Sequence, residues 1–194
     1  FDVYEPDLSV EYSRTTIGAD KDVEDWSHGN GLAYDAVEDD YLISLSGLDS
    51  LVRVDRATGQ TVWVLSDTHG DFSSTTGAPL VQGTHSAQAL EDNRILLFNR
   101  NIYDPHDTPD DSLDDICSEA IEIQLDPTTG EATEVWSYRS EECILVVYFG
   151  QAARLDNDNT LVIFSSSGQV SEATPEGETV WQVNTDVGGA FGFG

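Results

Sequence analysis

Three segments of this chain repeat one pattern, and that repetition restricts the fold more than any other feature. "YLISLSGLDSLVRVDRATGQTVWVL" begins at Tyr41, and "TLVIFSSSGQVSEATPEGETVWQV" begins at Thr160. Between them, "RILLFNRN" begins at Arg94 and, after an acidic insert, continues as "SEAIEIQLDPTTGEATEVWSY". Each reads as two apolar strands, a turn on Gly59, Gly130 or Gly177, and a further strand carrying Trp63, Trp136 or Trp181. Apolar alternation over four to eight residues, broken by Asp, Asn, Gly and Pro, marks antiparallel strands, and no segment sustains a helical period.

A leading strand precedes each unit, in "HGNGLAYDAVEDD", "HSAQALEDN" and "GQAARLDNDN". Four short antiparallel strands per repeat describe the blade of a β-propeller, so the expected class is all-β, with blades near residues 26–66, 83–139 and 148–185. A sandwich would supply short strands without three copies of one strand–turn–tryptophan order. Propellers usually have four to eight blades, so three indicate a partial propeller, with residues 1–25 and 186–194 as remnants of adjoining blades. The expected partners therefore include the missing blades of the same propeller.

The leading strands open on His28, His85 and Gly150, with Leu32, Leu90 and Leu155 as candidates for matching positions. The innermost strand of a blade lines the central channel, so His28 and His85 are expected to face one channel from neighbouring blades. Two histidines converging from separate repeats point to chemistry more than to packing.

Composition narrows the partners. The net charge of −29, with Lys21 as the single lysine, excludes nucleic acid and an anionic membrane surface, which would repel this chain. No run reaches the length of a membrane span. Carboxylates spread through every segment suggest a surface kept soluble in high salt; an acidic protein from an ordinary habitat is the alternative. "FDVYEPDLSV" has no basic start followed by an apolar stretch, as an export leader would. Cys117 and Cys143 lack the spacing of a zinc site, and a disulfide and two buried thiols stand as equal readings.

Residues 25–67, "DWSHGNGLAYDAVEDDYLISLSGLDSLVRVDRATGQTVWVLSD", resemble the arylsulfotransferase family, and the similarity continues through "GTHSAQALEDNRILLF" to "EATPEGETVWQV". The resemblance covers roughly residues 25–194 and rests on the order of motifs more than on any one of them. It implies a secreted or periplasmic six-bladed propeller, of which this chain is the later part, moving a sulfuryl group from an aryl sulfate to a phenol. By motif, His85 falls at the family's nucleophile, which becomes a transient sulfohistidine. His28 and Asn30, in "WSHGN", fall at residues that hold the sulfuryl oxygens. A neutral imidazole can attack sulfur and leave again, splitting one transfer into two easier steps. Fixed donors then stabilise charge on the oxygens, and no metal or organic cofactor is implied.

The chain departs from the family at several positions. Where the family reads Ser-Ser-Arg-His, residues 44–47 read "SLSG", so Ser46 replaces the sulfate-clamping arginine and Gly47 its histidine neighbour. Around the nucleophile, "THS" replaces the Gln-His-Asp of many members, and a further family histidine belongs to an upstream blade. Arg100, in "ILLFNRN", stands where relatives have Asp-Asn-Gly and is the candidate to supply the lost positive charge in substrate binding; a place at the rim is the other reading. His69 and His106 sit in loops expected to face solvent, and "DPHDTPDDSLDD" lacks the regular spacing of a calcium loop. "VDRATGQTVW" also matches the blade-docking pattern of quinoprotein propellers, which supports the fold and says little about function. A catalytically degenerate propeller that binds a ligand or protein is the competing function, favoured by Ser46 and Gly47.

Overall fold

The computed structural model describes residues 27–101 and 117–185. These form three successive antiparallel sheets, each a meander of four strands in sequence order. The first contains β1 (Gly29–Asp35), β2 (Asp40–Leu45), β3 (Ser50–Asp55) and β4 (Thr61–Ser66). A short β5 (Ser73–Ser74) adds in parallel to the outer edge of the second sheet. That sheet runs β6 (His85–Leu90), β7 (Arg94–Asn99), β8 (Glu119–Asp126) and β9 (Glu131–Arg139). The third holds β10 (Gln151–Arg154), β11 (Thr160–Phe164), β12 (Gln169–Ala173) and β13 (Thr179–Asn184). Among the described residues, no helix is long and apolar enough to cross a membrane. Residues 1–25 and 186–194, His106 and residues 104–115 lie outside the described residues.

The three sheets are built alike. Trp63, Trp136 and Trp181 pair with Arg53, Glu122 and Glu172, and each tryptophan follows a one-residue bulge at that point of its outer strand. The turns before them carry Gly59, Gly130 and Gly177 at φ of 71°, 70° and 82°, a region that glycine enters without steric cost. In the first two turns Asp55 and Asp126 accept backbone N–H groups within the turn, at 2.6 Å from Thr58 and 2.8 Å from Thr128.

Two apolar layers join the sheets. Leu42, Leu51 and Leu65 of the first pack against Ile95, Leu97, Ile121 and Ile123 of the second. On the other side Leu96, Phe98 and Ala120 meet Val162 and Phe164 of the third, with the Phe98 and Phe164 rings edge to face at 5.7 Å. The second sheet's inner strands β7 and β8 are thus buried on both faces, which explains the apolar run of β7, and each fully buried Leu or Phe contributes about 1.5–3 kcal/mol.

The register corrects the alignment of the leading strands. The partners of the tryptophans pair on their other side with Leu42, Leu96 and Leu161. Two residues further on, Ser44, Phe98 and Ile163 pair with Gly31, His85 and Gln151. Gly31 therefore matches His85, and His28 lies three residues earlier. Leu90 pairs with Arg94 and the Leu155 N–H donates to the Asn159 carbonyl, each two residues before the matched leucine, so Leu90 and Leu155 do correspond; Leu32 pairs with Ile43, one residue beyond Leu42, and does not. A one-residue bulge lies between His85 and Ala87, another lies between Gly29 and Gly31, N-terminal to the residue that matches His85, and the third leading strand has none, so offsets counted from the strand starts do not carry across.

Candidate functional site

His85 is delivered by a buried connection, residues 80–84, whose backbone polar groups are tied to side chains from three directions. The Asp67 carboxylate accepts the N–H groups of Leu80 and Val81 at 2.9 Å. Asn99 accepts from the Gln82 N–H at 3.1 Å and the Thr84 hydroxyl at 2.8 Å, and donates to the Leu80 carbonyl at 2.9 Å. Asp49 accepts the Gly83 N–H at 2.6 Å, Arg100 Nε donates to the Gly83 carbonyl at 2.9 Å, and Asn30 Nδ2 donates to the Thr84 carbonyl at 3.1 Å. Buried backbone needs such partners, and their number fixes the position of the imidazole.

His85 is only 4 % exposed, and its Nδ1 is buried without a hydrogen-bond partner. Burial, with added effects of Arg100 and His28, lowers its pKa from 6.5 to about 4, while a hydrogen bond with the Gly150 backbone works the other way. At neutral pH the imidazole is uncharged and offers a lone pair. Burial also raises the Asp49 carboxyl above its usual range, against the effects of the Gly83 N–H and Arg100.

Arg100 occupies in the second sheet the position that Ser46 holds in the first, four residues beyond Leu96 and Leu42 respectively. It is 8 % exposed, and its guanidinium spans both sheets: one Nη donates to the Ser46 hydroxyl, the other to the Val147 carbonyl at 3.2 Å. The positive charge thus reaches Ser46 of the neighbouring sheet. Its place is interior, not at a rim.

Asn30 is oriented from both ends, since its Oδ1 accepts the Ser44 hydroxyl at 2.8 Å while its amide nitrogen serves Thr84. His28 is exposed, sits ahead of β1 at φ 42°, and its carbonyl accepts the Ser46 N–H at 3.1 Å. Its charge adds, as the smallest of the contributions, to the lowering of the His85 pKa. Four selected residues, His28, Asn30, His85 and Arg100, are linked through Ser46, Gly83 and Thr84. His69 is half-buried, so the expectation of a solvent-facing side chain holds only in part. Among the described residues, no group of three or more His, Cys, Asp or Glu could hold a metal ion.

Sequence reasoning missed Asp49, Asp67 and Asn99, which hold the connection, and the strap that follows the second sheet. Asn99 precedes Arg100 at a strand end, where a polar pair after four apolar residues was the available signal. Cys117 and Cys143 form a disulfide with Cα atoms 4.8 Å apart, which decides between the two readings of the cysteines. Beside it, the Ser118 hydroxyl donates to the Arg100 carbonyl at 2.7 Å and accepts the Val146 N–H at 2.8 Å. Disulfide and serine together pin the strap of residues 143–150 beside Arg100. At its far end the Phe149 ring stands edge-on to His85, with centroids 5.8 Å apart.

Comparison with known proteins agrees with this architecture. The chain is similar to the hydrazine synthase of Kuenenia stuttgartiensis (TM-score 0.52, 13% identity, 90% of this chain and 40% of that one). It is also similar to a streptogramin B lyase (TM-score 0.50, 9% identity, 82% and 41%) and to a glucose dehydrogenase (TM-score 0.50, 13% identity, 78% and 45%). At these identities the likeness concerns the propeller-like fold alone, and in each case the chain spans less than half of the solved protein. Among curated proteins none matches the chain in sequence. The family model described as arylsulfotransferase (ASST) matches residues 1–187, nearly the whole length, and by that match the chain belongs to the arylsulfotransferase family.

Proposed function

We propose that this chain carries the sulfuryl-transfer site of an arylsulfotransferase, with His85 as the nucleophile. A lone pair of the neutral imidazole attacks the sulfur of an aryl sulfate. The N–S bond forms, the S–O bond to the ring breaks, and the phenolate leaves with that electron pair. A second phenol then attacks the same sulfur, the N–S bond breaks, and the proton the acceptor loses balances the one the departing phenolate gains. His28 and the Asn30 amide hold the sulfuryl oxygens, and Arg100 supplies the charge missing at Ser46, so that an anionic donor is drawn into a strongly negative protein.

The observation that carries this reading is the buried imidazole, held neutral with an unpartnered ring nitrogen beside a guanidinium. The reading extends to the architecture: blades near residues 26–66, 83–139 and 148–185 belong to a larger closed propeller with further blades. The disulfide supports export to the periplasm or the cell exterior, where such bonds persist.

Replacing His85 with alanine in the full protein should abolish transfer from 4-nitrophenyl sulfate, whereas Arg100→Ala should chiefly raise KM for the donor. Turnover retained by His85→Ala would defeat the assignment. The second reading, a degenerate module that only binds, rests on Ser46 and Gly47 at the family's Arg-His pair. It would be supported by donor binding without transfer in the unaltered protein.

A further inference from the structure

The strap that ends beside His85 presents Val147, Tyr148 and Phe149 to solvent, exposed by 41 %, 66 % and 42 %. Three adjacent large apolar side chains in the open are unusual next to a buried polar site, and their backbone is held tightly. The Val147 N–H donates to the Ser166 hydroxyl at 3.3 Å, the Val147 carbonyl accepts from Arg100, and the Tyr148 carbonyl accepts the Ser165 hydroxyl at 2.7 Å. Phe149 itself lies at φ 60°, a conformation a bulky side chain rarely adopts. Gly150 follows at φ 105° against the Phe98 ring, where a side-chain carbon would meet ring atoms at 2.2 Å and 2.4 Å. The backbone polar groups are thus spent inward, and the side chains are turned outward. Strain of this kind clusters where a site over-determines the geometry.

We propose that Tyr148 and Phe149 form the wall that receives the aromatic ring of an aryl sulfate, making them specificity-determining residues; this rests on the sulfuryl-transfer reading of His85. The Phe149 ring meets the imidazole edge-on at an interplanar angle of 82°. A substrate ring lying against Phe149 and Tyr148 brings its sulfate oxygen substituent toward His85, and Arg100, bonded to the same strap, faces the anionic end. The wall selects for a ring, while the site behind it handles the sulfuryl group. This division accounts for an apolar surface in a chain of net charge −29.

The test compares 4-nitrophenyl sulfate with ethyl sulfate, titrated calorimetrically against the full natural protein, Tyr148→Ala and Phe149→Leu, with thermal melts on each. Phe149→Leu keeps apolar volume and removes only the ring. Loss of either ring should weaken binding of the aryl sulfate about two- to tenfold and leave ethyl sulfate unchanged. Equal weakening of both ligands, weakening of neither, failure of the unaltered protein to bind the aryl sulfate, or a fall in melting temperature without ring discrimination would each overturn the proposal. The last outcome would mark the strap as a surface covered by another part of the protein. His85→Ala separates the two ideas: transfer that persists in that variant refutes the nucleophile, whereas ring discrimination reads the wall alone.

Discussion

Asn99 is the residue whose loss should reveal most about how His85 is held. Its side chain is 2 % exposed and serves three partners on the connection before His85: the Gln82 N–H, the Thr84 hydroxyl and the Leu80 carbonyl. In Asn99→Ala all three lose their partner in a dry environment, at about 1–3 kcal/mol each when left unsatisfied. Hydroxyl rotation and partial rearrangement recover some of this, so the expected cost is about 3–5 kcal/mol. For a chain of this length that lowers Tm by about 10 °C. Thr84→Val removes only one bond, because Asn99 still accepts from Gln82, and should cost about 1 kcal/mol. The two changes share a partner, so the double variant should be little worse than Asn99→Ala alone, with a coupling of about 1 kcal/mol. Urea unfolding of the four proteins measures the cycle. A cost below about 1 kcal/mol for Asn99→Ala, or strict additivity of the pair, would refute the argument that these bonds hold the connection before His85.

The depressed pKa of His85 has a definite sign in stability: unfolding returns the ring to about 6.5, so its contribution is full above that pH and is lost as pH falls toward about 4. The loss should reach about 2 kcal/mol after discounting for solvent screening; His85→Gln should lose less stability than the unaltered protein between pH 6.5 and 4, and equal slopes would contradict it. If the acidity is an adaptation to salt, melts in multimolar potassium chloride should give a higher midpoint than at low salt, because screening relieves carboxylate repulsion; an unchanged or lower midpoint would leave ordinary acidity.

The repeat was legible because it is local. Alternation, turn glycines and a tryptophan at a constant distance from each turn act within some 25 residues, and they located the three sheets and the equivalent outer strands. Places at the start of leading strands singled out His28 and His85, and the family resemblance singled out Asn30 and Arg100. Their combination was not legible, because it depends on bonds between sheets.

The amino-acid sequence by itself determined the strand pattern, the order of the sheets and the family, since these follow from side-chain period and turn chemistry along the chain. Tertiary structure decided the register of the leading strands, which puts Gly31 rather than His28 at the position that matches His85 and places bulges at Asn30 and Ser86. It also decided that Arg100 crosses to Ser46, that Asp49, Asp67 and Asn99 converge on one buried connection, and that Cys143 brings the aromatic strap to the imidazole. A bulge leaves no composition of its own, and a buried polar group takes whichever partner the packing of separate sheets puts within reach.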